Sequence, residues 1–295
     1  MSTVESAVKE TNVKRRSQWF EVWRRFKRNK LALAGLVIIL LIIVLALLAP
    51  ILASEGYDQQ IISDSLLTPG KEGHILGTDN LGRDILVRLV WGARYTLQCG
   101  LVAVLVSAIG GCILGSLAGY YSGKVDNLIM RVMDVLLAIP GMLLAISIAA
   151  TLGPGMRNAI IAVGISGMPT FARIVRSSVM SVRDMEYIEA ATAINAGDMR
   201  IILKHVLPNV MAPILVQTTL SVANAIMQTA SLSFLGLGVQ APIPEWGAMI
   251  SSGRSYLRGY GYMVTAPGLA IMMLVFSINI FGDGLRDALD PKLKT

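Results

Sequence analysis

Histidine and cysteine are nearly missing from this chain. Its 295 residues hold two of each, His74, His205, Cys99 and Cys112, which is too few for a metal-ligand cluster. The cysteines lie thirteen residues apart in one apolar stretch, on nearly opposite faces of a helix, so they read as free thiols. Charge is scarce as well. Asp, Glu, Lys and Arg make up 15% of the chain, against about 25% in a soluble domain. No Gly-x-x-x-x-Gly-Lys-[Ser/Thr] phosphate loop occurs, so a nucleotide driving this protein must bind another chain. No polar stretch is large enough to capture a solute by itself.

What is present is apolar. The chain is 54% hydrophobic, with a mean hydropathy of +0.62. Five or six runs approach the roughly 20 residues that cross a bilayer as a helix. The expected fold is an all-α polytopic membrane protein with six transmembrane helices, near 31–53, 95–120, 128–152, 157–176, 211–236 and 262–281. The first run exceeds the roughly 7–15 apolar residues of a signal peptide and reads as an uncleaved anchor. The organisation expected is a basic amphipathic N-terminus (1–30), the anchor (31–53), a loop with an interfacial helix (54–94), a five-helix core (95–285) containing a polar segment (177–210), and a tail (286–295).

The net charge of +7 does not point to nucleic acid, because it is concentrated. Residues 1–30 hold nine Lys and Arg against Glu5, Glu10 and Glu21, just before the first apolar run. Trp19, Phe20, Trp23 and Phe26 fall on one helical face there. The reading is a helix lying on an anionic membrane surface; a solvated basic tail is the alternative.

Within the spans, Gly111, Gly115 and Gly119 recur every four residues, a spacing that lets membrane helices approach closely. Asp134 reads as an ion pair with Arg131 near a helix start. Ser166 lies in Gly164-Ile-Ser-Gly167, a pattern also seen in rhomboid-type proteases, but neither histidine is placed to act as its base; helix packing is the simpler role. Gln217, Ser221, Asn224, Gln228 and Ser231 make one polar stripe on the fifth span. Facing lipid, such a stripe leaves amides unsatisfied. It lines either a translocation pathway or a contact between helices of this chain.

The polar segment reads as two short helices. Asp184 is positioned to cap the first, with Glu186 in its first turn. Asn195-Ala-Gly197 breaks it, and Asp198 is positioned to cap the second. Met199, Ile202, Leu203 and Val206 follow the apolar i, i+3, i+4, i+7 pattern, and Leu207-Pro208 stops the helix. So small a unit cannot bury its apolar stripe on itself.

Glu189-Ala190-Ala191, a turn, then Leu207-Pro208 resembles the "EAA" loop of ABC importer permeases, with Asn195 where that family usually has Gly. Three further stretches resemble the dipeptide, oligopeptide and nickel branch. These are Gly77-Thr-Asp79-Asn-Leu-Gly82-Arg83-Asp84 with Arg88, Gly92, Ala93 and Arg94; Ser233-Phe-Leu-Gly-Leu-Gly238 with Pro242, Pro244, Glu245, Trp246 and Gly247; and Gly282-Asp-Gly-Leu-Arg-Asp-Ala-Leu-Asp-Pro291. Arg83, Arg88 and Arg94 read as surface cations with Asp79 and Asp84 as partners, and Trp246 as a membrane-interface residue.

The resemblance implies a type I ABC importer permease in a bacterial inner membrane. It also implies a homologous second permease, two ATPase subunits that bind ATP and Mg, and a separate solute-binding protein, with membrane lipid around them. Glu186, Glu189, Ala190, Ala191, Asn195, Gly197, Asp198, Leu207 and Pro208 would couple to the ATPase. Di- and oligopeptides are the expected solutes; nickel chelates, glutathione or other small solutes are the alternatives, and a secondary transporter or channel is the alternative of another class. Independently of the resemblance, six spans with both termini in the cytoplasm put nineteen Lys and Arg inside and seven outside, as the positive-inside rule requires.

Overall fold

In lipid the backbone must satisfy its own hydrogen bonds, and helices achieve this throughout the computed structural model of the chain. The structure describes residues 18–53 and 55–289. The basic residues up to Arg16, and the tail from Asp290 onward, lie outside them, and nothing is described of the Trp19 side chain. Among the described residues there are eleven α-helices and, apart from two isolated bridges, no strand pairing.

A short helix α1 (Gln18–Phe26) leads through a bend into α2 (Lys30–Leu52), where the Asn29 side chain accepts from Ala32 N as N-cap. After a loop, α3 runs from Ile85 to Tyr121, so the expected interfacial helix and second span are one 37-residue helix capped by Asp84. The third span is not straight. α4 (Gly123–Leu137) and α5 (Gly141–Leu152) meet at 89° at the break before Pro140, whose ring cannot continue the ladder. α6 is Met156–Val182. Then come α7 (Glu186–Ala193), α8 (Asp198–Ile201), a π-type turn (Ile202–Val206), a 3₁₀ turn (Leu207–Val210) and α9 (Met211–Phe234). The chain ends with α10 (Trp246–Gly253) and α11 (Tyr262–Leu289). Five helical stretches are long and apolar enough to cross a membrane; the bent pair, counted as one span, is a sixth.

The crossings alternate in direction, so their ends form two sets. One end of the bundle gathers α1, the α3–α4 turn, residues 183–197 and the finish of α11. Arg183 Nη1 donates to Ser122 Oγ (2.6 Å) there, and Phe26 packs on Phe281. The other end gathers the 54–84 loop, the α5–α6 turn and the 235–261 segment, joined by Gly155 N donating to Gly238 O (2.9 Å).

Between α3 and α6 the backbones meet almost directly. A Cβ added to Gly115 would stand 2.5 Å from Ala172 O, and one on Gly119 2.8 Å from Val179 Cβ; Gly111 faces Phe171 still more closely. The four-residue glycine spacing therefore does what its period implies.

At the opposite end Asp79, Arg83 and Arg88, expected on the surface, are buried. Asp79 accepts from Arg83 Nε at 2.7 Å and lies 3.7 Å from Arg88 Nε, with all three side chains at most 8% exposed. Arg88 Nη1 also donates to Tyr57 O (2.8 Å) and Pro242 O (3.3 Å). Breaking such a buried pair strands a charge, so it differs in kind from a surface bridge. Tyr262 OH lies within hydrogen-bond distance of Leu67 O and Thr78 O, which ties the loop to α11. His74 Nδ1 is 2.6 Å from Asp84 Oδ2, and its Nε2 is 3.8 Å from Asp64 Oδ2. The hydrogen bond to Asp84 raises the His74 pKa against a smaller opposing effect of burial. The Trp246 expectation also changes: the ring is buried and donates to Leu89 O (3.0 Å) instead of sitting at an interface.

Two outcomes are expected. Gly115→Val forces the helices apart and costs about 3 kcal/mol, read as a lower melting midpoint of the detergent-solubilised protein; an unchanged midpoint would show that the two helices do not touch. For His74, whose pKa rises on folding, the stabilisation is complete below about pH 6.5, the ordinary histidine value. It is lost as pH rises through the folded-state pKa. Protease resistance of the 54–84 loop should fall over that window, and His74→Asn should remove the pH dependence.

Candidate functional site

The first candidate is the segment between α6 and α9. α7 has Met185 as its N-cap residue, and no side chain caps it. Asp184, expected there, instead accepts from Arg183 Nε at 3.1 Å, because Arg183 is already held against the end of α3. α7 ends at Asn195, which takes φ +56, a left-handed turn that Asn tolerates. Ala196 N then donates back to Ala191 O (3.1 Å). Gly197, with φ −64, is the N-cap residue of α8, so Asp198 is inside the helix and not its cap. Its carboxylate accepts from Tyr120 OH at 3.1 Å. Entry and second helix are thus both fastened to the last turn of α3.

The apolar pattern of the second helix is resolved differently from the i, i+3, i+4, i+7 expectation. The π-type turn adds a residue to the winding. Ile201 and Val206 point inward, with Ile188 and Ala191 from α7, into one cluster with Val175 and Val179 of α6, and Ile202 is buried as well. Met199 and Leu203 turn outward and are 58% and 57% exposed. Pro208 does not stop the helix either; it sits at the start of a 3₁₀ turn that runs on into α9. The outward face therefore shows Met199 and Leu203 with Ile194, which is 80% exposed, and Tyr187, beside the exposed Glu186, Glu189 and Ala190.

Two ion pairs brace this end of the bundle. Arg176 Nε and Nη2 donate to Asp126 at 2.5 and 2.6 Å, joining α6 to α4. Asp134 pairs with Arg173 at 2.9 Å, not with Arg131; the partner comes from α6 because α4 lies across it.

The second candidate is a cleft of about 290 Å³ facing the α4–α5 bend. Four of the five stripe residues, Gln217, Ser221, Asn224 and Gln228, line it. Ser231 does not; it borders a separate apolar groove and donates to Met227 O. Gln217 Nε2 donates to Ser221 Oγ (2.9 Å), and Ser166 Oγ reaches Gln228 Oε1 (3.3 Å) as well as Val163 O (2.9 Å). Asn224 is exposed in the cleft. Every lining residue is uncharged. Some stripe groups thus bond within the chain, while Asn224 is open to the cleft.

One structural residue escaped the sequence reading. Glu245 is fully buried, and its carboxylate accepts from Gly247 N and Ala248 N (both 2.9 Å), with Thr96 Oγ1 at 3.4 Å. Burial pushes its pKa up, against these hydrogen bonds. The local signal was an acid just ahead of a helix, an N-cap position. Thr96 is 149 residues away, and no local pattern announces it.

Residues 111–295 match the family described as binding-protein-dependent transport system inner membrane component. The chain belongs to this family. Residues 17–69 further match the N-terminal TM domain of oligopeptide transport permease C. A dipeptide transport system permease protein DppC of Alkalihalophilus pseudofirmus is 49% identical over 279 residues, 95% of this chain and 91% of that protein. A di/tripeptide permease DppC of Pseudomonas aeruginosa is 48% identical, covering 93% and 92%. A glutathione transport system permease protein GsiD of Pectobacterium atrosepticum is 44% identical, covering 95% and 93%. In fold, the chain is similar to a structure of the MetNI methionine ABC transporter in inward-facing conformations. The TM-score is 0.57 and the identity 20%, over 70% of this chain and 98% of that one. The chain is a transporter permease subunit and a multi-pass membrane protein.

Proposed function

We propose that this permease forms half of the translocation pathway of an ATP-driven importer of di- and oligopeptides. A homologous permease supplies the other half. Two ATPase subunits hold ATP and Mg, and a separate binding protein delivers the solute. The carrying observation is the outward face of the 186–208 segment. It exposes Ile194, Met199 and Leu203 at one end of the bundle while its inner face is bolted to α3 and α6. Apolar side chains rimmed by Glu186 and Glu189 suit a groove on a partner better than they suit water. Glu186, Glu189, Ala190, Ala191, Asn195, Gly197, Asp198, Leu207 and Pro208 are then coupling residues, although Ala191 acts from the buried side.

Orientation follows the charges. Among the described residues, the end carrying the coupling segment also carries Arg24, Arg25, Lys27, Arg28, Lys30, Lys124, Arg173, Arg176, Arg183, Arg200, Lys204 and Arg286. That end is cytoplasmic by the positive-inside rule, and both termini with it. The 54–84 loop then faces the binding protein.

Gln217, Ser221, Asn224 and Gln228 form the pathway wall. Their amides and hydroxyls can exchange hydrogen bonds with any peptide backbone, and the uncharged lining favours no particular side chain. Selectivity therefore belongs to the binding protein. Peptide-named relatives at 48–49% identity support the solute class. Glutathione is a second reading, supported by the 44% identical relative. A proton-driven transporter, which needs charged relay residues deep in the spans, is disfavoured because Asp134, the candidate the sequence offers, is half exposed and paired with Arg173.

Two experiments test this. ATPase subunits should co-purify with the wild-type chain, and Glu189→Arg or Ala190→Asp should lower peptide uptake on the order of tenfold or more by placing a misfit charge in the interface. Co-purification and uptake both unchanged would reduce the segment to a connector. Asn224→Ala with Gln228→Ala should lower uptake by on the order of tenfold, two hydrogen bonds' worth, in a normally assembled complex. Unchanged uptake and solute range would remove these residues from the pathway.

A further inference from the structure

A basic concavity lies away from both candidate sites, between α1 and the finish of α11. It measures about 410 Å³. Arg24, Arg25 and Arg28 line it, with Asp287 as the carboxylate among the described lining residues and Gly284 and Ala288 along the α11 side. Arg24 and Arg28 are exposed.

These arginines are not on a loose tail. Phe26, 3% exposed, is held edge-on against Phe281 at 5.5 Å and stacks on Trp23 at 5.9 Å. Gly284 leaves no room for a Cβ, which would collide with Ala32 Cβ, so α11 and the start of α2 are in direct contact. Asn29 fixes the bend by capping α2. The backbone that carries these arginines is therefore braced, so their binding needs no ordering of the chain itself.

The apolar surroundings place that corner. Phe20 and Trp23 are 53% and 46% exposed, and the outward face of α2 begins a few residues on with Leu31, 69% exposed. Lys27 Nζ sits 5.1 Å over the Trp23 ring. Aromatic rings, then arginines, at the edge of a span-length apolar surface is the layering of a headgroup region. Guanidinium groups bind phosphate oxygens bidentately.

We propose that this cleft binds the phosphate of an anionic lipid headgroup, gripped by Arg24 and Arg28, with the acyl chains lying against the exposed face of α2. Asp287 bars a second, closely bound anion. The site is independent of the transported solute and of the coupling segment.

The test is native mass spectrometry of the importer complex purified through this chain, relipidated with phosphatidylglycerol or phosphatidylcholine. The wild type should retain phosphatidylglycerol in preference to phosphatidylcholine. An Arg24→Gln, Arg28→Gln double variant should weaken that retention on the order of tenfold, as removal of two near-surface charges implies, while Arg24→Lys with Arg28→Lys keeps most of it. Equal retention of the two lipids by the wild type, a comparison that needs no variant, overturns the proposal. So does unchanged retention in the Gln variant. Displacement of the lipid by inorganic phosphate at millimolar concentration would overturn it in favour of a free-anion site. Loss of co-purifying subunits from the Gln variant with lipid retained would overturn it in favour of a protein contact.

Discussion

The structure depends first on the absence of side chains between α3 and α6. At Gly111, Gly115 and Gly119 the two helices approach until backbone meets Phe171, Ala172 and Val179. In lipid there is no hydrophobic drive to press helices together, so close packing of this kind supplies the adhesion. Everything functional is referred to that seam. Ser107 Oγ crosses it to Gly164 O at 2.7 Å, forming a wall of the polar cleft. The last turn of α3 receives Arg183 and presents Tyr120 to Asp198, which sets the coupling segment. A shift along the seam would move both sites together.

Much of this was legible in the sequence, and for definable reasons. Apolar runs of span length and a four-residue glycine repeat are local patterns, and both survived in the structure. So did the turn at Asn195, because tolerance of positive φ belongs to one residue. The details that failed depend on partners far along the chain. Asp184 and Asp198 looked like caps, but Arg183 and Tyr120 claim them, through contacts that α3 creates. Met199, Ile202, Leu203 and Val206 read as one apolar stripe, yet the structure divides it: Ile202 and Val206 are buried while Met199 and Leu203 are exposed, a division that depends on what packs beside them and not on local spacing. Asp134 chose Arg173 over the nearer Arg131 for the same reason, since an 89° bend decides which helix lies beside it.

Charge reading shows the same limit from the other side. Arg83 and Arg88 read as surface cations with Asp79 and Asp84 as partners; the pairing with Asp79 is there, but it is buried and helps shape the end of the bundle opposite the 186–208 segment. Glu245 does comparable work from the 235–261 segment, capping α10 while Thr96 fastens it to α3. Buried charges are expensive unless fully partnered, so these two networks fix how that end is built. Asp79 offsets one of the two charges of Arg83 and Arg88, and Asp134, Asp126 and Asp184 do the same for Arg173, Arg176 and Arg183 at the other end, so pairing leaves the charge bias between the ends in place.

The proposed lever is contained in one stretch of chain. From Asp198 to Phe234 the backbone is nearly continuous helix, with Met199 and Leu203 exposed at one end and Gln217 to Gln228 lining the cleft further along. Eighteen residues separate Met199 from Gln217, about 27 Å at 1.5 Å per residue. A force applied to the exposed face therefore reaches the cleft without crossing a loop. The π-type and 3₁₀ turns at 202–210 are where the winding departs from α, and with it the stiffness. In the proposed lever they are where the outer end would tilt on its seat at Val175 and Val179, with α9 following as a rod. Contact alone does not drive such a change; the partner must bind one arrangement more tightly than the other. An apolar outward face supplies that difference where the partner buries more of it in one arrangement. Its burial by a partner depends on angle, so the partner's closure can select the angle of the rod and, with it, the width of the cleft.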